Sequence, residues 1–232
     1  MLADLHGHLP KVPECDALLL CGDYTPISHP KRFTEELKFL GGKFKTWLDE
    51  IEVPIFAVAG NHDWIFQNNP ELVPKLKWHY LQDSGISWNG LKIWGTPWQP
   101  RFWDWAFNAD EPELERRWSF IPDDTDILLL HGPPYGYGDF SPHGNEHTGS
   151  PSLLKRIEEI QPKLVVAGHI HSARGVYLLG KTVIANVAIV NEQYELVHEP
   201  MLFSLDQEKK KTYRIDTENN SQYLIDGVSW EN

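Results

Sequence analysis

Apolar residues arrive in short unbroken runs that stop at small or ligand-type residues. Residues 16–21 (DALLLC) run into Gly22-Asp23, residues 53–59 (VPIFAVA) into Gly60-Asn61, residues 126–130 (DILLL) into His131-Gly132, and residues 163–167 (KLVVA) into Gly168-His169. Runs of this length predict buried strands that enter loops at their carboxyl ends. Residues 31–51 place Phe33, Leu37, Leu40, Phe44, Trp47, Leu48 and Ile51 at roughly helical spacing, with Gly41-Gly42 weakening the middle. Residues 151–160 read as a helix with Ser150 as N-cap and Pro151 at its first position. Strands alternating with helices favour a largely parallel sheet. Residues 175–179, 182–186 and 201–205 predict shorter strands that build a second sheet, with a tight turn at Gly180-Lys181. Only Met1 to Ala3 precede Asp4. A strand there is very short, or the natural start lies upstream.

A chain of 232 residues with 41% hydrophobic content can bury one core. We expect one domain over residues 1–207 and a peripheral extension over 208–232, which is polar and opens near a lysine run at 209–211. No apolar stretch reaches the ~18–20 residues that cross a bilayer. The first residues lack a basic segment followed by an apolar one, so neither membrane nor secretory signal is expected and a cytoplasmic location is the default. Cys15 and Cys21 are expected as free thiols. A formal charge of −12 argues against long nucleic acid as a partner.

The chemistry lies at the ends of the runs. In order they carry Asp4-Leu5-His6, Gly22-Asp23, Gly60-Asn61-His62-Asp63, His131-Gly132 and Gly168-His169-Ile170-His171. The carboxyl edge of an open α/β sheet is where sites form. Paired residues two apart project to one side if the backbone stays extended, so Asp4 and His6, and His169 and His171, can face one site. Hydrolysing a phosphate ester requires charge stabilisation on the attacking, leaving and non-bridging oxygens. Two divalent ions about 3.5–4 Å apart supply it and generate hydroxide near neutral pH. The mixed oxygen and imidazole donors suit Mn, Fe, Zn, Ni or Co. Any one block arises easily by chance; five in order, each at the end of a run, do not.

These five blocks, spanning residues 4 to 171, resemble the calcineurin-like metallophosphoesterase superfamily. The resemblance implies a four-layer α/β/β/α sandwich of two mixed sheets flanked by helices, with two metals at the strand ends. It implies that Asp4, His6 and His171 hold one metal, that Asn61, His131 and His169 hold the other, and that Asp23 bridges them. His62 is then the general acid, assisting attack by a metal-bridging hydroxide. Asp63 reads more readily as a loop-stabilising residue than as a catalytic one.

Further along, Gly95-Thr96-Pro97-Trp98-Gln99-Pro100 and His131-Gly132-Pro133-Pro134-Tyr135-Gly136, followed by Asp139, are similar to the metallophosphoesterase-domain-containing subgroup known from vertebrate fetal-brain proteins. Gly149-Ser150 before a helix and Asn186 fit it too. That subgroup is similar to class III cyclic-nucleotide phosphodiesterases. It implies a small phosphodiester substrate, with 2′,3′- or 3′,5′-cyclic nucleotides among the candidates. A phosphomonoesterase or short-end nuclease is the alternative, and a binding scaffold that lost catalysis is a further one. The second block departs from the phosphoprotein phosphatases, because Pro26 replaces the Asp expected to partner the catalytic His and no Arg follows. For substrate contact the candidates are Asn61, Trp98, Arg101 and Tyr135. Trp98 is preferred among the aromatics of residues 98–107 because it lies nearest the motif. His8 is weighed as an extra ligand and His143 as an exposed polar residue.

Overall fold

The computed structural model describes residues 1–26, 33–208, 211–215 and 222–229. Residues 31–32 of the expected helix, and 209–210, 216–221 and 230–232 of the expected extension, lie outside the described residues.

The first sheet contains β1 (Leu18–Cys21), β2 (Ile55–Val58) and β3 (His79–Tyr80), all parallel. The second contains β4 (Ser84–Trp88), β5 (Leu91–Thr96), β6 (Ile127–Leu130), β7 (Leu164–Ala167), β8 (Gly175–Leu179) and β9 (Thr182–Asn186). Its spatial order is β8-β9-β7-β6-β5-β4, parallel in the middle and antiparallel at both edges. The expected short strands therefore divide. β8 and β9 form a hairpin that extends the sheet of β6 and β7, whereas β10 (Leu202–Asp206) pairs with β11 (Lys211–Ile215), which pairs in turn with β12 (Gln222–Ser229), in a separate antiparallel sheet. The expected boundary at 207/208 falls in the turn between β10 and β11.

Alternation of side chains sorts the apolar runs into layers. Leu18, Leu20, Ile55 and Ala57 pack with α2 (Lys45–Asp49) through Leu48, with α3 (Trp64–Asn68) through Ile65, and with Leu40 and Phe44 of the turn that joins α1 (Phe33–Phe39) to α2. Leu19, Cys21, Phe56 and Val58 point the other way, against Ile127, Leu129, Leu164 and Val166 of the second sheet. Leu128, Leu130, Val165 and Ala167 cover the far face and meet α4 (Glu111–Trp118) and α5 (Pro151–Ile160) through Leu114, Trp118, Leu153 and Ile157. That is the four-layer α/β/β/α sandwich. Each fully buried leucine in these layers contributes about 1.5–3 kcal/mol.

Local chemistry sets the ends of the elements. Ser150 Oγ accepts from the Leu153 amide at 3.2 Å and Pro151 opens α5, as expected. The expected helix over 31–51 is broken. A π-turn at Leu40–Phe44 separates α1 from α2, with Gly42 outside helical geometry, because the paired glycines hold the helix weakly there. β4 and β5 turn through Asn89-Gly90, both at positive φ (47° and 77°), a two-residue hairpin turn. Leu2 bridges to Leu20 and Ala3 to Ala188. Two residues thus insert between β1 and the segment leaving β9, and they deliver Asp4 to the seam between the sheets.

Candidate metal centre

The carboxyl ends of β1, β2, β6 and β7 converge at that seam with the residue after Ala3. Convergence does not come from extended backbone. Asp4, His6, Asp23 and His169 all sit at positive φ, 57°, 42°, 57° and 69°. Non-glycine residues adopt this region at a cost and persist there only where surroundings fix them, often at functional sites. The expectation that Asp4/His6 and His169/His171 share a side through extended spacing is therefore corrected: tight turns aim them inward. Glycine makes room for the turns. A Cβ at Gly60 would overlap the Asp23 carboxylate, and one at Gly168 would overlap that of Asp4.

Asp23 is at the centre. Its Oδ1 accepts from the His62 amide at 2.8 Å. Its Oδ2 faces three imidazoles, 3.4 Å from His131 Nε2, 3.7 Å from His6 Nε2 and 3.9 Å from His62 Nε2. Asp4 accepts from the His169 amide at 3.0–3.1 Å, with His171 Nε2 at 3.6 Å from its Oδ1. His131 Nδ1 donates to the Cys21 carbonyl at 2.8 Å, and its Nε2 lies 2.7 Å from Asn61 Oδ1. His171 Nδ1 donates to the Asn191 carbonyl at 3.1 Å. The His169 ring lies 5.0 Å from that of His131.

Charge follows from these neighbours. Burial resists the Asp23 carboxylate, yet His131, His62 and His6 hold it well below the usual range. Burial likewise resists charge on His131, but Asp23 and its hydrogen bond lift it to about 9. His6 and His169 are driven down to about 3, mainly by burial, and are neutral donors.

The residues fit divalent ions. His6 Nε2 is buried without a hydrogen-bond partner and points at the Asp23 carboxylate. A cation among these donors would satisfy it. Among the described residues, donor atoms converge within 4.8 Å in three groups: Asp4-His6-His171, Asp4-Asp23-His131 and His6-Asp23-His62. The first coincides with one ligand set implied by the resemblance. The third includes His62, which that resemblance places outside the metals.

Supporting residues are placed as follows. Asp63 is buried and accepts from the amides of Asp23, Gly60 and Tyr24 at 2.7–2.9 Å, a loop-binding role. Asp139 is also buried and accepts from the Gly136 and Gly149 amides and from His147 Nδ1. Trp98 is held by partners outside the histidine cluster. Its indole N–H donates to Asp83 at 3.0 Å, the Arg117 guanidinium lies 3.3 Å from its ring centroid, and Phe107 packs on it edge-on. The indole needs an acceptor and finds it there. The aromatic of that segment that reaches the site is Trp105, stacked on His62 at 4.4 Å. Arg101 is exposed. Tyr135 is exposed too, with its ring against His147. His8 donates to the Tyr194 carbonyl at 2.9 Å, and exposed His143 pairs with Glu192. Sequence reasoning missed Tyr194, whose ring lies 4.6 Å from His6 and 5.5 Å from His171. A lone tyrosine in a polar stretch carries no signal that could have found it.

The layers and the convergent donors define a metal-dependent phosphoesterase. The chain belongs to the calcineurin-like phosphoesterase family, whose model matches residues 1–173. It is 32% identical to human metallophosphoesterase domain-containing protein 1 over 88% of this chain and 69% of that protein. A Synechococcus protein named "probable cyclic nucleotide phosphodiesterase" is 27% identical over 68% of this chain and 58% of its own length. Among solved structures, GAP50 of Plasmodium, titled the anchor in the inner membrane complex, shares the fold with a TM-score of 0.53 at 10% identity, covering 93% of this chain and 79% of that one. No helix among the described residues is long and apolar enough to cross a membrane.

Proposed function

We propose that this chain hydrolyses a small phosphodiester, a 2′,3′- or 3′,5′-cyclic nucleotide being the candidate substrate, at the site around Asp23. The observation that carries this reading is one carboxylate oxygen facing three imidazole nitrogens at 3.4–3.9 Å, beside a buried, unpartnered His6 nitrogen. Asp4, His6 and His171 would hold one divalent ion, Asn61, His131 and His169 a second, with Asp23 between them. Bound there, Mn, Fe, Zn, Ni or Co would supply Lewis acidity and a hydroxide nucleophile near neutral pH.

The chain's own residues do the rest. The Cys21 and Asn191 carbonyls fix His131 and His171 through Nδ1, which leaves Nε2 of each turned to the site. His62 offers Nε2 to the leaving oxygen as general acid. Burial favours its giving up the proton, against the pull of Asp23. The catalytic unit is residues 1–207, in a cytoplasmic setting, with 208–232 peripheral.

The relative named as a cyclic nucleotide phosphodiesterase supports the diester class. The charge of −12 favours small substrates over long nucleic acid. The test is metal analysis of purified protein, followed by turnover of bis-p-nitrophenyl phosphate, p-nitrophenyl phosphate and a cyclic-nucleotide panel. Bound metal is expected, with diesters preferred. Asp23→Asn and His131→Ala should abolish turnover. Full activity in both variants removes the two-metal account, and preference for the monoester replaces the diester with a monoester. Protein that takes up no metal leaves a binding scaffold.

A further inference from the structure

Among the described residues, His62 lacks the device that usually orients a catalytic imidazole. A general acid must be held within narrow angles, and a carboxylate or carbonyl on the far ring nitrogen commonly does this. Among the described residues, the one carboxylate within 4.0 Å of the His62 ring nitrogens is Asp23, at 3.9 Å. That carboxylate lies on the site side of the ring and already faces His131 and His6. Histidine χ2 is broad, so an unsupported ring samples many planes.

Trp105 supplies a surface instead. Its ring lies 4.4 Å from that of His62 with only 22° between planes. His6 meets the same imidazole edge-on, at 4.6 Å and 81°. Trp105 is itself held close to the motif. The next amide, Ala106 N, donates to the Asn61 carbonyl at 3.2 Å, and Phe107 N donates to Gln67 Oε1 at 2.6 Å. Gln99 N donates to the Phe107 carbonyl at 3.1 Å. The indole is therefore pinned through its own backbone to the loop that carries His62.

We infer that Trp105 is a positioning residue for His62, fixing the plane of the imidazole by stacking where no carboxylate holds it. The inference rests on the reading that His62 is the acid. That acid acts on the leaving oxygen, so loss of its orientation should be felt most where the leaving group is poor.

The test uses full-length protein reconstituted with Mn²⁺. Trp105→Phe, Trp105→Leu, His62→Ala and Trp105→Leu/His62→Ala are assayed on bis-p-nitrophenyl phosphate and on a 2′,3′-cyclic nucleotide. Leu keeps bulk but offers no planar face, and Phe restores the face. Trp105→Leu should lower kcat on the cyclic nucleotide by about 10- to 100-fold. The loss on the activated ester should be smaller, with little change in KM. Phe should recover most of the loss. In the His62→Ala background, Trp105→Leu should cost less than about 2-fold. A second readout needs no turnover: in protein loaded with diamagnetic Zn²⁺ in place of Mn²⁺, the His62 ring-proton resonances should be displaced upfield by the indole and return in Trp105→Leu.

Equal losses with and without His62, a change in KM alone, or unmoved ring-proton resonances would overturn the inference while leaving the phosphodiesterase reading intact. If His62→Ala costs nothing on the cyclic nucleotide, the acid assignment and the inference fall together. If Trp105→Leu does not fold, Trp105→Phe with the resonance shift decides: an unshifted imidazole in both wild type and Phe variant sinks it.

Discussion

On the first-sheet side of the site, a buried carboxylate gathers amides. Asp63 accepts from the N–H groups of Asp23, Gly60 and Tyr24. On the second-sheet side, a buried carboxamide gathers carbonyls. Asn186 donates to the oxygens of Gly138, Gly168 and Ile170 at 2.8–3.2 Å and accepts from the Ala188 amide at 3.1 Å. The two side chains have the same shape and opposite demands. Around Asp63 the turns after β1 and β2 present donors, and around Asn186 the turns after β6 and β7 present acceptors, so these two positions required different residues, although Asp139 in the loop after β6 again takes amides, those of Gly136 and Gly149. Left unpaired, such buried groups cost about 1–3 kcal/mol each.

Exchanging the chemistry breaks the comparison most directly. Asn186→Asp places a carboxylate against three carbonyls, and we expect a loss of about 3–5 kcal/mol, in the range of an uncompensated buried charge. Asp63→Asn should cost less, about 1–3 kcal/mol. Burial and then the charge of Asp23 push the Asp63 carboxyl well above the usual range, against the pull of the Gly60 amide. A neutral amide is therefore the milder substitute there. Urea unfolding of both variants gives the order. If Asp63→Asn proves the costlier, the two halves do not differ in the way their polarity implies.

How far this was legible in the chain also differs between regions. Buried parallel strands were readable, because β1, β2, β6 and β7 need apolar residues on both faces and end at ligand-type positions. Asn186 was noticed as a matching residue, but its three carbonyl partners come from two separate loops, and no local pattern foretells that. The hairpin of β4 and β5 carried a usable signal in Asn89-Gly90 beside the alternating Leu91 and Ile93, and it went unread. Distance along the chain favoured Trp98, whose ring is partnered by Asp83 and Arg117, over Trp105, whose ring stacks on His62, because side-chain partners from distant segments leave no local pattern. The left-handed turns at Asp4, His6, Asp23 and His169 were not readable, since the enrichment of Asp and His at positive φ is too modest to place individual turns.

A second carboxylate sharpens the contrast by pH. Glu36 on α1 is buried and accepts from the amides of Trp64 and Ile65 at the start of α3, behind the His62 loop. Burial raises its pKa from 4.5 to about 7, against the pull of those two amides. The folded chain thus binds this proton more tightly than the unfolded one. Its contribution to stability is full below about 4.5 and is lost as pH rises through about 7. Glu36→Gln lacks that proton. The difference in unfolding free energy, variant minus wild type, should therefore climb with pH across the window, and Asn186→Gln should show no such slope. A flat difference for Glu36→Gln removes the first-sheet half as the pH-sensitive one.

The smallest expected effect concerns the residue that belongs to neither half. Tyr194 lies over His6 and, at 6.0 Å, His62 from the first-sheet side, and over His171 from the second. Its backbone is left-handed at φ 61° and is held by an Asn191 turn and by His8. Half exposed, the ring forms a wall of the site rather than part of its donor set. Tyr194→Asn tolerates the same φ while removing the ring, so it separates wall from backbone. We expect KM for bis-p-nitrophenyl phosphate to rise about 3- to 10-fold, as for an aromatic contact of about 0.5–1.5 kcal/mol, with kcat within about 2-fold. Tyr194→Phe should keep most of the affinity. A fall in kcat at constant KM would instead place the tyrosine in the chemistry, and the site would no longer divide cleanly between the two sheets.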